Sequence, residues 1–448
     1  MLSLFSSSPI KLRSAFQFSN SVPHSALRLC FPSTSSLHSH SQPQSLDEAV
    51  DSFTRMLSMR PPPSIIQFTK ILGSLAKTNH FPTAISLFQQ LQARGIAPNL
   101  FTLNILINCC CGMSRMTLAF SAFAKIFRMG FQPDAVTLTT ILKGLCLCGN
   151  VEKALHFHAT VLAYGFHFDQ VTYGTLINGL CKIGHTSAAI QVLRKIPQHG
   201  IVPNVVMYNP IIDSLCKVTL VNKAKYVFNT MAQSRESLDV QSYNIMVNGF
   251  CKIKMVDEAL NLFEEMRRKY LVPNTVTYNT LIDGLSKSKR ISCALDLLFE
   301  MHERGQPTNV VTYNSLLDGM FNIKRVDKAL MLFKEMKESG IDPDIYTYNI
   351  LIDGLCKSGR LIDAIEIFQD LSEKGYGPNV RTYNIIINGF CKEGLFEEAL
   401  ALLSKMEGNG CLPNAVTFET VIRALFEKDE NDMAEKLLWE MVARGLLN

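Results

Sequence analysis

A 35-residue period runs through this chain and decides what it can fold into. The unit Val310–Asp344 reads VVTYNSLLDGMFNIKRVDKALMLFKEMKESGIDPD, and shifts of 35 in either direction keep finding the same pattern. Full units begin at Ile65, Leu100, Ala135, Gln170, Val205, Val240, Thr275, Val310, Ile345 and Val380, and a final 34-residue unit runs from Ala415 to Asn448. No insertion or deletion interrupts these 350 residues, and residues 45–64 match the second half of a unit. A unit this short cannot bury its own apolar face, whereas stacked units can.

Fixed positions within the unit show what it contains. Position 20 is Ala in all eleven units, from Ala84 to Ala434, and Ala49 extends the series into the half unit. Position 10 is always small: Ser74, Cys109, Ser214, Ala424 and otherwise Gly, as in Gly284. Small residues at set places predict two helices in close approach. A first helix, A, is expected from about position 3, often a Thr such as Thr102, Thr277 or Thr312, which is a good N-cap. A second helix, B, carries Val256, Leu260, Phe263 and Met266 at helical spacing, with Asp257 and Glu258 where the dipole favours acids. Gly at position 31 in nine of eleven units ends helix B, and Pro at position 34 in seven of ten full units blocks a restart. Asn178-Gly179 and Asp283-Gly284 read locally as hairpin turns. Their flanks keep helical spacing, so these glycines belong inside helix A at a cost of ~1 kcal/mol each. The expected fold is all-α: an α-solenoid superhelix of about eleven 35-residue helix-turn-helix units, of either hand, with A helices on the concave wall.

Composition narrows the function classes. With 47% apolar residues among 448, wholesale disorder is excluded, and no run of ~18 uncharged apolar residues exists to cross a membrane. A net charge of +5 permits an anionic partner without demanding one. Thirteen cysteines, an odd count, argue against a secreted disulfide scaffold. Seven of them (Cys111, Cys146, Cys181, Cys216, Cys251, Cys356 and Cys391) sit at position 12, a full unit apart, which suits small buried side chains and not shared metal ligation. No metal or other cofactor is expected.

Residues 1–44 stand apart. They hold thirteen Ser, the bases Lys11, Arg13 and Arg28, and no acid; the first is Asp47. That is the composition of an organelle transit peptide. A short basic segment at Leu27–Phe31 leans the expected address toward the mitochondrion, with the chloroplast as alternative and an untargeted tail as the bland reading. Cleavage is expected within 28–45, and residues 45–64 are expected to cap the array.

Four positions could carry chemistry. Position 5 is Asn104, Asn209, Asn244, Asn279, Asn314, Asn349 and Asn384 in seven units, Thr69, Thr139 and Gly174 in three, and Glu419 in the last. Asn is a weak helix former, so its recurrence reflects either a local bond to backbone or an amide that meets a base edge with donor and acceptor. Position 35 is Asn99, Asp134, Asp169, Asn204, Asp239, Asn274, Asn309, Asp344, Asn379 and Asn414, which alone reads as turn chemistry. Position 2 is Ile66, Phe101, Val136, Val171, Val206, Val276, Val311, Tyr346 and Val416, with Gln241 and Arg381 departing; packing between units is the bland reading. Position 13 is Lys77, Lys182, Lys217, Lys252, Lys287, Lys357 and Lys392, either a dipole contact at a helix end or a row that follows phosphates.

The period, the run VTYNTLIDGL at Val276–Leu285 and the Pro-Asp or Pro-Asn unit end resemble the P-type pentatricopeptide repeat family over residues 45–448. The opening PPPSIIQFTKILGSLAK is similar to the plant restorer-of-fertility-like subgroup. The resemblance implies single-stranded organellar RNA as partner, one nucleotide per unit, 5′ end at the N-terminus. It further implies base reading by positions 5 and 35 together, and bases sandwiched between position 2 residues, where Arg381 can stack and Gln241 weakens its slot. By the family's pairing rule, Thr/Asn favours A, Asn/Asp U, Thr/Asp G and Asn/Asn a pyrimidine. Units 1 to 10 then read 5′-AUGNUYYUYY-3′, with Gly174 leaving the fourth slot open and Glu419 reading nothing. No H-x-E with P-C-x-x-C and no nuclease-like acidic cluster is present, so no enzyme activity is expected. The implied action is occupancy, or recruitment of a nuclease or other processing factor, affecting transcript processing, stability or translation. The competing expectation is a helical adaptor that binds a protein or peptide in its groove.

Overall fold

The computed structural model describes residues 45–234, 238–373 and 375–447, so the proposed transit peptide at 1–44 lies outside the described residues. Contacts divide the chain into two compact units, residues 1–55 and 56–448. Helix Leu46–Ser58 begins in the first. Ser45 and Glu48 cap it reciprocally, each side chain accepting from the other's backbone N–H at 3.3 and 3.1 Å.

From Ile65 onward the described residues form 22 α-helices and no strands, two per repeat, as the period predicts. Each A helix packs on its own B helix and on the next A helix, while successive B helices stay further apart, so the stack closes on the A side. Ala at position 20 is the contact that allows this: Ala119, Ala259 and Ala399 are fully buried. Position 10 has a more specific task than close helix approach. A Cβ added at Gly179 would lie 2.6 Å from Cβ of Cys146, and one at Gly389 2.7 Å from Sγ of Cys356. Where position 10 is glycine, the position 12 side chain of the repeat before thus fills the notch over it. Burial pushes the Cys146 thiol up to about 11 and the Cys181 and Cys356 thiols to about 12, so these are packing groups and not nucleophiles.

The A helices start two residues earlier than expected. They begin at position 1, as in Thr275–Lys287 and Val310–Asn322, and the N-cap is the position 35 residue of the preceding repeat. Asn274 Oδ1 accepts from the Thr277 N–H at 3.1 Å, and Thr277 Oγ1 accepts from the Asn274 N–H at 3.2 Å. Thr at position 3 is the third helical residue and closes a capping box, so it is not the cap itself. Position 31 behaves as predicted: Gly130 has φ 77°, and Phe131 N–H closes back on the Ile126 carbonyl at 3.0 Å. Position 15, between A and B, is also left-handed in every repeat, although only Gly149, Gly184, Gly359 and Gly394 are glycines there; Thr219 holds φ 61°.

Candidate nucleic-acid interface

At about 100° per residue, positions 2, 5, 9 and 13 fall within about 80° of one another on helix A. The position 2 side chains are not buried between repeats. Ile66, Phe101, Val136, Val171, Val206, Val276, Val311, Tyr346 and Val416 are 49–69% exposed, and Gln241 and Arg381 are exposed with them. They form a column with one member per repeat. Neighbours in it meet: the Arg381 guanidinium lies over the Tyr346 ring, 5.6 Å from its centre. The column also runs beside position 5, since a Cβ on Gly174 would lie 3.3 Å from Cγ1 of Val206 in the next repeat.

Position 5 does not bond to backbone where it is Asn. Its carboxamide joins the cap that starts the next A helix, across the repeat boundary. Asn104 Nδ2 donates to Asp134 Oδ1 at 3.1 Å, and Thr137 Oγ1 donates to Asn104 Oδ1 at 2.7 Å. Asn279 repeats this with Asn309 at 3.2 Å and Thr312 at 2.6 Å. Asn244 does so with Asn274 at 3.3 Å and Thr277 at 2.7 Å. Asn209 accepts from Ser242 and Asn384 from Thr417, both at 2.8 Å. Asn314 Nδ2 donates to Asp344 at 3.3 Å, but Oδ1 of Asn314 and of Asn349 is buried with no donor. Where position 5 is Thr the pattern loosens. Thr69 bonds only its own helix at Ile65, whereas Thr139 meets the Thr172 hydroxyl at 2.7 Å.

In four repeats positions 5 and 35 are therefore bonded as a polar pair, with residue 35 doubling as helix cap. Burial works against the Asp134 carboxylate, but the Thr137 N–H and hydroxyl and the Asn104 amide outweigh it and hold its pKa below the usual range. The Thr172 hydroxyl does the same for Asp169. The fourth pair fails. Gly174 offers no side chain, Asn204 makes no capping bond, and its Nδ2 reaches Gln170 instead at 3.4 Å. Glu419 is exposed in the last repeat.

The seven position 13 lysines lie in the last turn of their A helices, exposed. Three already face a position 9 carboxylate one turn back: Lys217 with Asp213 and Lys287 with Asp283 at 2.7 Å, and Lys357 with Asp353 at 2.6 Å. Their charge is partly offset before any ligand arrives. Among the described residues no cluster of three or more His, Cys, Asp or Glu could hold a metal ion. The residue that sequence reasoning missed is the position 3 hydroxyl, which it took for a cap; its signal was recurrence beside Asn at position 5 of the preceding unit.

Comparison with known proteins decides the family. The PPR repeat family model matches residues 63–112 and 104–147 and six overlapping stretches between 203 and 427, and PPR repeat models match 136–165, 164–197 and 416–446. The chain belongs to the pentatricopeptide repeat family. A putative mitochondrial pentatricopeptide repeat-containing protein of Arabidopsis thaliana is 51% identical over 65 residues, which is 14% of this chain and 13% of that relative. A second mitochondrial member from Arabidopsis thaliana is 52% identical over 64 residues, 14% of this chain and 10% of its own length. The crystal structure of the pentatricopeptide repeat protein PPR10 from maize superposes with a TM-score of 0.50 at 23% identity, covering 89% of this chain and 67% of that one, a likeness of fold.

Proposed function

We propose that this pentatricopeptide repeat chain binds single-stranded RNA along its A-helix face, one nucleotide per repeat, and acts by occupancy or recruitment without catalysis. The observation that carries the reading is the exposed position 2 column. Nine apolar side chains left 49–69% in solvent at a constant spacing suit a stack of bases, each inserted between successive members. Beside every slot but the fourth stand side chains at positions 5 and 35 with hydrogen-bonding atoms to spare. An acceptor-only Asp at 35 suits a base that offers a ring N–H, and an Asn there can donate to one that does not. The family's pairing rule then gives 5′-AUGNUYYUYY-3′. Lys182, Lys252 and Lys392, with Asn and not Asp at position 9, are the phosphate contacts expected to matter most. The organellar address rests on the composition of residues 1–44 and on relatives named mitochondrial.

Gel-shift competition tests the reading. The RNA 5′-AUGNUYYUYY-3′ should bind far better than its complement, with each wrong base costing on the order of 1 kcal/mol. Asn314→Thr turns an Asn/Asp pair into Thr/Asp and should move the eighth nucleotide from U toward G. Equal binding of both strands would remove the sequence-selective reading; an unmoved preference for U would remove the residue assignment alone. Residues 1–44 fused to a fluorescent reporter should send it to mitochondria, and a cytosolic reporter would overturn the address.

A further inference from the structure

Residue 3 of most A helices bonds its own cap, and in five repeats its hydroxyl also reaches back to the position 5 carboxamide of the repeat before. We propose that this hydroxyl fixes which end of the position 5 carboxamide faces the base, which makes Thr137, Ser242, Thr277, Thr312 and Thr417 positioning residues for readout. The inference rests on the RNA-binding reading above and adds a residue to it.

The orientation follows from one backbone group. The Thr312 N–H can only donate, and it donates to Asn309 Oδ1 at 3.2 Å. That turns the Asn309 oxygen inward. Asn279 Nδ2 donates to the same oxygen at 3.2 Å, which leaves Asn279 Oδ1 pointing at the next helix. There the Thr312 hydroxyl donates to it at 2.6 Å. Every step is forced by the one before, so the amide end is assigned by donors and acceptors and not by shape alone. The remaining hydrogen on Asn279 Nδ2 is then what the slot offers a ligand. A pyrimidine presents a ring carbonyl or ring nitrogen acceptor to it; a reversed carboxamide would set oxygen against oxygen. Without the hydroxyl, Asn279 Oδ1 loses its donor in a half-buried place, and the bond to Asn309 alone is left to hold the carboxamide.

The chain carries its own control. In the fourth slot position 5 is Gly174, which has no carboxamide to orient, and the following position 3 is Met207, which has no hydroxyl. Among the ten following repeats this is the one with neither Thr nor Ser at position 3. Ser242 keeps the bond to Asn209 at 2.8 Å with only its hydroxyl in common with Thr.

The test uses the full chain and RNAs that differ only at the seventh nucleotide, C against A. Wild type should prefer C by about ten-fold. Thr312→Val should reduce that preference to about two-fold or less, and Thr312→Ser should retain it. Thr102→Val is the comparison: Thr102 closes the same capping box with Asn99, but it follows Thr69, which bonds its own helix. That variant should keep the wild-type preference at the first nucleotide. If Thr312→Val keeps the preference for C, or if Thr102→Val loses its own equally, the positioning role is overturned and only capping remains. A second readout needs no RNA. The side-chain amide signal of Asn279 in asparagine-labelled protein should shift in Thr312→Val and stay put in Thr102→Val; an unmoved signal overturns the lock. Wild type that binds no RNA would end the RNA reading, while the amide signal would still decide whether the hydroxyl orients Asn279.

Discussion

Repeats 6 to 10 and repeats 4 to 5 use the same 35 positions, yet only the first group keeps both the cap and the position 5 amide throughout. In repeats 6 to 10, every A helix from Val240 to Glu393 is capped through a side chain, and every position 5 is Asn. In repeats 4 and 5 the departures gather in one place. Pro197 ends helix Thr186–Lys195 early and leaves a 3-10 turn, Ile196–His199. Asn204 makes no capping bond, Met207 has no hydroxyl, and Pro210 sits inside helix Val205–Lys217. Gly174, which removes one reading side chain, lies in the same stretch. The difference teaches that cap, hydroxyl and amide can be lost together: in the fourth slot all three are missing at once.

The largest test of this contrast is Pro210→Thr. It should restore an amide donor to the Val206 carbonyl and a hydroxyl bond like that of Thr280 to Val276 at 2.7 Å, raising stability by up to about 3 kcal/mol in urea unfolding. No gain would mean that repeat 5 has relaxed around its proline. In the regular region, Ala259→Leu should cost about 1–3 kcal/mol, because a fully buried helix contact leaves no room for three more carbons. An unchanged melting curve would count against position 20 as the contact.

Acid should find the repeat beside the irregular stretch first. His158 occupies position 24, where Phe228, Phe263, Phe333 and Phe368 stand elsewhere, and it stacks on Phe168 beside Tyr173. Burial, with His199 and Lys195 nearby, pushes its pKa down to about 4 from 6.5. The folded chain thus refuses a proton that the unfolded chain accepts. Stability is unaffected by this group above about pH 6.5, falls as pH drops, and levels off below about 4 after a loss of about 3 kcal/mol. His158→Phe should flatten that part of the stability profile; an equal slope in the variant would place the acid sensitivity elsewhere. The smallest expected effect is at position 15. Thr219→Gly should gain about 1 kcal/mol by relieving a left-handed β-branched residue, and chemical denaturation that finds a loss would contradict the strain.

Much of this was legible in the period. Eleven alanines at position 20 and the small residue at position 10 announced two helices per repeat, and Gly130 and its equivalents announced where the second one stops. Two things were not. Thr at position 3 outranked Asn or Asp at position 35 as a cap because both are good caps by type, and only the backbone N–H of Thr277 on Asn274 separates them. The left-handed position 15 is invisible in composition, since seven of its eleven residues are not glycine. Within the site, Asn279 and Thr312 stand 33 residues apart, as do Cys146 and Gly179. Such pairs cannot be read from a helix face; they exist only once one repeat is laid on the next.

That spacing has a consequence for how the protein comes into being. Side-chain bonds between repeats join residues 28 apart, as in Thr186–Ser214, to 37 apart, as in Arg444–Glu407. A chain leaving the ribosome can therefore complete each seam once about one further repeat has emerged, with no distant strand to wait for. Assembly proceeds as vectorial accretion, each arriving pair of helices settling on the pair before it.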